Sequence, residues 1–235
     1  MVGSSSGAGS NSGKGNGNRS REERWRGERW QGNQRRIGLT GGIASGKSTV
    51  GRILAETYGL PVLDADTYAR EALAAGSGGA AAVLGRYGPL VRAEASSNGT
   101  AAVDRAALGR IVFADPVERL WLEQLVHPLV RTRFDQELER LAAEPVVVLM
   151  IPLLFEVGLE NLCSEVWLVD CDEAEQRQRL IHRDGLPEAE ALRRIHAQWP
   201  LERKRLLADR LIDNRGTSDG LTTAVEGALA ASRNG

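Results

Sequence analysis

The sequence predicts an α/β fold in three layers, with a central parallel sheet between two layers of helices. Apolar, largely β-branched runs at residues 146–151 and 166–170 are typical of central parallel strands that are covered on both faces. Segments with helical spacing of apolar residues alternate with the predicted strands. The chain has 235 residues, 42% apolar and 26% charged, which suits one compact domain.

The elements follow one another in a regular order from Arg36 onward. Short strands are predicted at residues 36–40, 61–64, 146–151, 166–170 and 210–213. A helix is predicted at 47–58, where Gly59 provides a stop signal, and another at 67–75. Further helices are predicted up to about residue 140, interrupted by a polar stretch at 93–102. Arginine-bearing helices at 173–184 and 187–199 and a C-terminal helix complete the pattern.

Residues 1–35 differ from the rest of the chain in composition. Residues 1–20 consist mostly of Gly, Ser and Asn and include no acidic residue. Such a segment cannot bury enough apolar surface to offset its ordering entropy. We therefore expect a disordered N-terminal extension at 1–35 and a folded domain at 36–235. The extension lacks the apolar region of a secretory signal, and is either dispensable or a transit peptide.

Charge and composition argue against several classes of function. The net charge is −1, and the +4 of residues 1–35 leaves −5 on the remaining residues, so no global basic field attracts nucleic acid or membrane. The longest nearly apolar run, residues 146–155, is far shorter than the roughly 20 residues that span a bilayer. We expect no nucleic-acid partner, no membrane partner and a cytoplasmic location. Cys163 and Cys171 are too few for a disulfide framework.

A phosphate-binding loop is predicted at residues 41–48, where GGIASGKS fits the pattern G-x-x-x-x-G-K-[ST] between a strand and a helix. Glycines let successive N–H groups point at phosphate oxygens, and the helix presents its positive dipole end to them. Lys47 is expected to reach the β- and γ-phosphates of ATP, and Ser48 to ligate Mg²⁺. Lys47 is one of only three lysines beside 27 arginines, and a compact charge suits this position. The expected nucleotide-binding residues here are Gly42, Ile43, Ala44, Ser45, Gly46, Lys47, Ser48 and Thr49.

A small-molecule kinase is the more economical interpretation, because the chain has no N-K-x-D motif for reading guanine. Asp64 and Asp66 end the second predicted strand, at the sheet edge where ligands bind. One is expected to help hold the Mg²⁺ shell and the other to accept a hydrogen bond from the acceptor, although Asp66 could instead cap the next helix. A cluster of arginines predicts either a lid over ATP or a solvated helix face: Arg177, Arg179, Arg183, Arg193 and Arg194.

Taken together, these residues resemble the dephospho-CoA kinase family. Residues 37–49 (IGLTGGIASGKST) and 63–66 (LDAD) resemble the start of its members. The resemblance continues in order through 109–113 (GRIVF), 125–128 (LVHP), 151–156 (IPLLFE), Arg179, 183–185 (RDG), Arg194 with Gln198, Lys204, 208–209 (AD) and 212–214 (IDN). It covers about residues 36–230 and is much more specific than the phosphate loop alone.

The resemblance implies a P-loop kinase fold, with a helical acceptor-binding region at about 67–140 and a lid at about 174–200. It implies transfer of the γ-phosphoryl of ATP to the 3′-hydroxyl of the ribose of dephospho-CoA, giving CoA and ADP, the last step of CoA biosynthesis, with Mg²⁺ as cofactor. By position, Asp66 and Lys47 are the expected catalytic residues. The ATP site would also include Arg179, Arg183 and Asn214. The acceptor site would comprise Asp64, Asp66, Arg70, His127, Pro152, Leu153 and Leu154.

Three residues depart from the family's pattern. Ala44 stands where glycine is frequent, and its small side chain is expected to let the loop wrap with a negative φ. Met150 stands where many relatives have a carboxylate, which would shift Mg²⁺ ligation toward Ser48, water and the two aspartates. Trp199 replaces a methionine, which conserves apolarity but is larger.

Some alternatives stay open at this point. Lys204 either contacts a ligand or pairs with acidic neighbours. The runner-up functions are another P-loop kinase of small molecules or nucleotides, and a non-catalytic nucleotide-binding module. A monomer is the expected state, with an oligomer as its alternative.

Overall fold

A computed structural model of the chain describes residues 29–93, 101–215 and 218–231. Its strands are β1 (Arg35–Gly41), β2 (Val62–Asp64), β3 (Val146–Met150), β4 (Glu165–Asp170) and β5 (Arg210–Asp213). They form one parallel sheet in the order β2-β3-β1-β4-β5.

Helices surround this sheet and supply most of the chain between the strands. The helices are α1 (Lys47–Glu56), α2 (Ala65–Ala72), α3 (Gly78–Tyr87), α4 (Arg105–Ala114), α5 (Pro116–Arg140), α6 (Leu154–Val157), α7 (Glu173–Asp184), α8 (Glu188–His196), α9 (Leu201–Leu207) and α10 (Ser218–Ala231). Short 3₁₀ helices lie at Gly88–Val91 and Glu160–Leu162. Within the described ranges, no helix is both long and apolar enough to cross a membrane.

The predicted three-layer arrangement is confirmed by the way that β3 divides its side chains. Val147 and Leu149 are fully buried in a core cluster that includes residues of α2 and α5. Val148 is fully buried in the opposite cluster, which includes residues of α1 and α10. Because successive side chains of a strand point to opposite faces, a continuous apolar run is needed where helices cover both.

The parallel register brings the two predicted functional segments to one edge of the sheet. Leu39 in β1 and Asp64 in β2 both pair with Met150, the last residue of β3. The chain leaves β1 into the phosphate loop and leaves β2 into residues 64–66. The carboxyl ends of the central strands therefore form the crevice where open α/β sheets bind ligands.

Element boundaries differ from the expected ones by a few residues. Strand β5 and helix α7 have the predicted bounds, whereas α1 ends two residues early and α8 ends at His196. Helix α2 begins at Ala65 because Asp64 caps it: Asp64 Oδ1 accepts from the N–H of Asp66 at 2.9 Å. Residues 94–100 of the predicted polar stretch lie outside the described residues, and Ala93 N–H donates to Ala102 O across that gap.

The segment before β1 packs against the amino end of the sheet. Residues 1–28 of the expected extension lie outside the described residues, but residues 29–34 make specific contacts. The backbone N–H of Trp30 donates to Cys163 O at 3.1 Å, and the Arg36 guanidinium lies 3.4 Å from the centre of the Trp30 ring. Arg29 is 9% exposed, forms an ion pair with Asp209 and donates to Leu207 O at 3.3 Å. The folded part of the chain therefore starts before residue 36.

Replacing Arg29 by alanine should lower the free energy of unfolding by about 2–3 kcal/mol, because Asp209 would stay partly buried without its counter-charge. Urea unfolding measures the change. Arg119→Ala is the matched control: it removes an exposed ion pair with Glu123 at 3.7 Å. That control should change the free energy by less than about 0.5 kcal/mol. Equal unfolding midpoints for the two variants would contradict a structural role for residues 29–34.

Candidate functional site

The phosphate loop joins β1 to α1 and folds over the side chain of its own lysine. Lys47 Nζ donates to Gly41 O at 3.1 Å and to Gly42 O at 2.9 Å. Gly46 has a φ of 99°, and a Cβ there would stand 2.1 Å from Asn214 Nδ2, so both conformation and space require glycine. The loop backbone thus closes tightly around the position where phosphate oxygens would bind.

Ala44 adopts a left-handed conformation, with a φ of 57°. The expectation of a negative φ at this residue was wrong. The wrap of the loop requires a positive φ at this point, which is why glycine suits it. An alanine in this region costs about 1–2 kcal/mol, so the loop holds local strain.

Desolvation makes the protonated form of Lys47 less stable and lowers its pKa. Partial desolvation, with the positive charge of Lys204 as the second cause, lowers the pKa of Lys47 to about 8. The nearby carboxylates of Asp66 and Glu156 oppose the shift. A phosphate group bound at the loop would supply the missing negative charge and stabilise the protonated form.

Two side chains, one from α7 and one from the residue that follows β5, contact backbone carbonyl groups of the loop. Arg179 Nη1 lies 3.4 Å from Ala44 O and 3.3 Å from Ser45 O, and Asn214 Nδ2 donates to Ser45 O at 2.7 Å. Arg179 Nη2 also donates to Asn214 O at 2.8 Å. Both residues, which the family resemblance placed at the ATP site, therefore contact the loop itself.

A cavity of about 770 Å³ opens above the loop. Its lining comprises Ile43, Ala44, Ser45, Gly46, Lys47, Ser48, Thr49, Asp66, Pro152, Leu153, Arg179, His182, Arg183 and Gln198. The predicted nucleotide-binding residues are thus brought together with two exceptions. Gly42 lines a separate cavity behind the loop, and Asn214 reaches the loop without lining this space.

A second cavity of about 310 Å³ adjoins the first and is walled mostly by apolar side chains. Its lining comprises Ala65, Asp66, Ala69, Leu73, Leu122, Glu123, Val126, His127, Val130, Ile151, Pro152, Leu153, Val157 and Leu159. Three residues line both cavities: Asp66, Pro152 and Leu153. A carboxylate therefore stands at the junction of a polar, cationic space and an apolar one.

The two aspartates divide their roles. Asp64 is occupied by helix capping, because its Oδ1 accepts from Asp66 N–H and its Oδ2 accepts from the Thr67 hydroxyl at 3.2 Å. Asp66 does not cap α2, and its side chain points into the cleft. Partial desolvation, with the negative charge of Asp64 as the second cause, raises the pKa of Asp66. A carboxylate with a raised pKa is suited to accept a proton.

The predicted lid arginines separate into two groups. Arg179 and Arg183 line the nucleotide cavity, and Arg183 also donates to Asp184 Oδ1 at 2.7 Å. The other three form ion pairs on the helix surface: Arg177 with Glu188, and Arg193 and Arg194 with Glu190. For these three the solvated-face interpretation applies.

The predicted acceptor residues are only partly brought together. His127 lines the apolar cavity, whereas Arg70 lines neither cavity and donates to the Thr67 hydroxyl at 2.8 Å. Leu154 is fully buried in the core and lines neither cavity. The family resemblance places Leu154 at the acceptor site with Pro152 and Leu153, but its side chain at the start of α6 is directed into the core.

Lys204 pairs with an acidic neighbour, the second of its two possible roles. It is fully buried, and its Nζ lies 2.6 Å from Glu156 Oε1. Sequence reasoning assigned no site role to His182 or Gln176. His182 lines the nucleotide cavity, and Gln176 Nε2 donates to Ile43 O at 2.6 Å. The only indication in the sequence that His182 and Gln176 could belong to the site was their position in the helix predicted at 173–184.

The donor chemistry at the loop fits a magnesium ion. Ser48 is exposed to the cavity that Asp66 also lines, which offers a hydroxyl and a carboxylate oxygen. Mg²⁺ is usually held by one or two protein oxygens, phosphate oxygens and water rather than by a full protein cage. Within the described ranges no cluster of three or more His, Cys, Asp or Glu could hold a metal alone. Met150 packs against Gly51 of α1 and offers no ligand.

Comparison with known proteins agrees with this geometry. A family model described as dephospho-CoA kinase matches residues 35–219. The chain is 66% identical over 184 residues to a dephospho-CoA kinase of Synechococcus sp. (strain CC9605), which covers 78% of this chain and 86% of that protein. It is 63% identical over 188 residues to a dephospho-CoA kinase of Prochlorococcus marinus (strain MIT 9313), covering 80% and 92%.

Solved structures show the same fold. The structure of TT1252 from Thermus thermophilus has a TM-score of 0.71 at 39% identity, and the match covers 87% of this chain and 100% of that one. Dephospho-CoA kinase from Campylobacter jejuni has a TM-score of 0.58 at 24% identity, covering 85% and 98%. Because the family model spans most of the sequence and the relatives match over nearly their whole length, the chain belongs to the dephospho-CoA kinase family.

Proposed function

We propose that the chain transfers the γ-phosphoryl group of ATP to the 3′-hydroxyl of the ribose of dephospho-CoA, forming CoA and ADP. The observation that carries this proposal is the position of Asp66, whose carboxylate lines both cavities at their junction. A phosphoryl donor bound on one side and an alcohol bound on the other would meet at that carboxylate.

The loop side of the site is suited to bind ATP. Backbone N–H groups, the amino end of α1 and the Lys47 ammonium all present positive charge to the β- and γ-phosphates. Arg179 and Arg183 extend from the lid over the same space. Mg²⁺ would be held by the Ser48 hydroxyl, phosphate oxygens and water, with Asp66 in reach, and would neutralise charge on the transferred group.

The apolar side of the site is suited to bind the acceptor. A nucleoside has a flat, largely apolar base beside a polar ribose, and the second cavity offers apolar walls beside the Asp66 carboxylate. Asp66 would accept the proton of the 3′-hydroxyl while that oxygen bonds to the γ-phosphorus. The bond from the γ-phosphorus to the bridging oxygen breaks, and the electron pair leaves with ADP.

The second candidate function, phosphorylation of a different small alcohol, shares the loop and the carboxylate. An assay with ATP, Mg²⁺ and dephospho-CoA, with products detected by mass, separates the two. Formation of CoA and ADP in equal amounts is expected. Turnover of another alcohol without CoA formation would favour the second candidate, and ATP binding without any turnover would favour a non-catalytic module.

Asp66→Asn should lower kcat by at least about 100-fold, because the neutral amide cannot accept the hydroxyl proton. ATP binding, measured by calorimetry, should be retained. Asp64→Asn is the matched control, since an asparagine oxygen still caps α2 while the charge is removed. The control should retain most of kcat. Similar losses in both variants would remove Asp66 from the role of base.

The pH dependence of kcat/KM for ATP should show two limbs. On the acid side kcat/KM rises with pH as Asp66 loses its proton, at a pH above the ordinary aspartate range because its pKa is raised. On the alkaline side kcat/KM falls above about pH 8, because Lys47 must be protonated to hold phosphate and its pKa is lowered to about 8. Initial rates over a pH series measure both.

Asp64→Asn provides the control for this profile. Removing the neighbouring negative charge should shift the acid limb to lower pH and leave the alkaline limb in place. An alkaline limb that stays flat to about pH 10, the range of an ordinary exposed lysine, would show that Lys47 is not desolvated as described.

A further inference from the structure

Two glutamines bind the two backbone polar groups of Ile43, a residue of the phosphate loop. The N–H of Ile43 donates to Gln198 Oε1 at 2.9 Å, and Gln176 Nε2 donates to Ile43 O at 2.6 Å. Gln176 is only 2% exposed, so its amide is fixed by packing. A phosphate loop binds through the directions of its N–H groups. The two hydrogen bonds fix consecutive peptide units, 42–43 and 43–44, and therefore constrain the direction of the N–H groups that follow.

Gln198 also forms the partition between two spaces. It lines the nucleotide cavity, and it lines a cavity of about 430 Å³ behind the loop, to which Gly42, Cys171 and Trp199 contribute. If Gln198 moved away, the outer face of the loop would open toward that second space. The position of this side chain thus contributes to the support of the loop beside Gln176, Arg179 and Asn214.

The backbone next to Gln198 is anchored by a buried ion pair. The N–H of Trp199 donates to Glu156 Oε1 at 3.2 Å, and the same oxygen lies 2.6 Å from Lys204 Nζ. Lys204 is fully buried and the Glu156 side chain is 14% exposed. Removing one charge of such a pair is strongly destabilising, so both groups are held in place. The Arg203 guanidinium stacks 3.3 Å from the centre of the Trp199 ring and restrains it further.

Glu156 connects this anchor to the acceptor side of the site. It lies in α6, one turn after Pro152 and Leu153, the two apolar residues that line both cavities. The path from the shared wall to the loop therefore combines chain proximity with hydrogen bonds: Glu156 follows Leu153 along the chain and accepts from the Trp199 N–H, and Gln198, next to Trp199, accepts from the Ile43 N–H. Lys204 and Glu156 both act electrostatically on Lys47, which is consistent with their position close beneath the loop.

We propose that Gln198, Glu156 and Lys204 form a positioning relay. Through it, the orientation of the Ile43 backbone in the phosphate loop depends on the position of the wall that the two cavities share. This inference rests on the proposed kinase function. None of the three residues takes part in the chemistry. In this relay the buried Lys204 holds Glu156 in place and does not contact ATP. The affinity for ATP then depends on side chains that do not bind phosphate.

The first test replaces Gln198 by methionine, which keeps the volume and removes the acceptor for the Ile43 N–H. The dissociation constant for a non-hydrolysable ATP analogue should rise about 3- to 10-fold, the range that one neutral hydrogen bond supports. KM for dephospho-CoA should be unchanged. Gln34→Met is the matched control: Gln34 is also buried and donates to Leu141 O and Glu144 O, at the opposite end of the sheet. It should affect the unfolding midpoint without changing ATP affinity.

The second test separates positioning from direct contact at Lys204. Lys204→Met alone leaves Glu156 buried without its counter-charge, and should lower both stability and ATP affinity. In the double variant Lys204→Met with Glu156→Gln, the amide oxygen can still accept from the Trp199 N–H and no charge is left unpaired. ATP affinity should recover toward that of the unmodified chain. The double variant keeps the test informative if the single one fails to fold.

Two outcomes would overturn the relay. One is unchanged ATP affinity in Gln198→Met. The other is a double variant that folds stably but still binds ATP weakly, which would assign Lys204 a contact with the nucleotide. Because the readout is ATP binding, these outcomes are distinct from failure of the proposed function, which is normal ATP binding without CoA formation.

Discussion

The burial of the Lys47 ammonium inside its own backbone loop is the interaction on which the rest of the site depends. The carbonyl groups of Gly41 and Gly42 hold the ammonium, and its burial lowers the pKa to about 8. The hydrogen-bond partners of this cation are neutral carbonyls and the nearby carboxylates do not offset its desolvation, so a phosphate anion would stabilise it further. The affinity of the loop for phosphate therefore comes from incomplete compensation of this charge, which the surrounding fold maintains. The left-handed Ala44 belongs to the same arrangement, since the loop can enclose the lysine only by turning sharply there.

Positive charge is concentrated locally in a domain that is acidic as a whole. Three of the predicted lid arginines form surface ion pairs, Arg193 and Arg194 within α8 and Arg177 across to Glu188 of α8, and such pairs contribute little to stability. Arg179 and Arg183 differ because they also face the nucleotide cavity. Arg183 is paired with Asp184, whereas Arg179 is held against the backbone of the loop.

Two neighbouring cavities of opposite character explain how one carboxylate can serve a transfer reaction. The polar cavity ends at Asp66 from one side and the apolar cavity ends there from the other. Asp64 takes over the capping of α2, which leaves the Asp66 carboxylate in the cleft. The buried pair of Glu156 and Lys204 lies behind the wall common to both cavities, and it connects that wall to the loop through Trp199 and Gln198.

The amino-acid sequence was sufficient to predict the parallel sheet, the loop and the family, because these depend on local signals: continuous apolar runs between helical patterns, glycine spacing and a single lysine at the expected position. It also placed Asp64 and Asp66 at the correct edge of the sheet. The folded structure was needed to show which aspartate caps α2 and which faces the cleft, because both positions suit an N-cap and the sequence left the first residue of α2 open. The same holds for the inward orientation of Leu154, the φ of Ala44, the packing of residues 29–34 and the pairing of Lys204 with Glu156. Burial, backbone direction and long-range ion pairs are set by segments that are distant in the chain, and no local pattern encodes them.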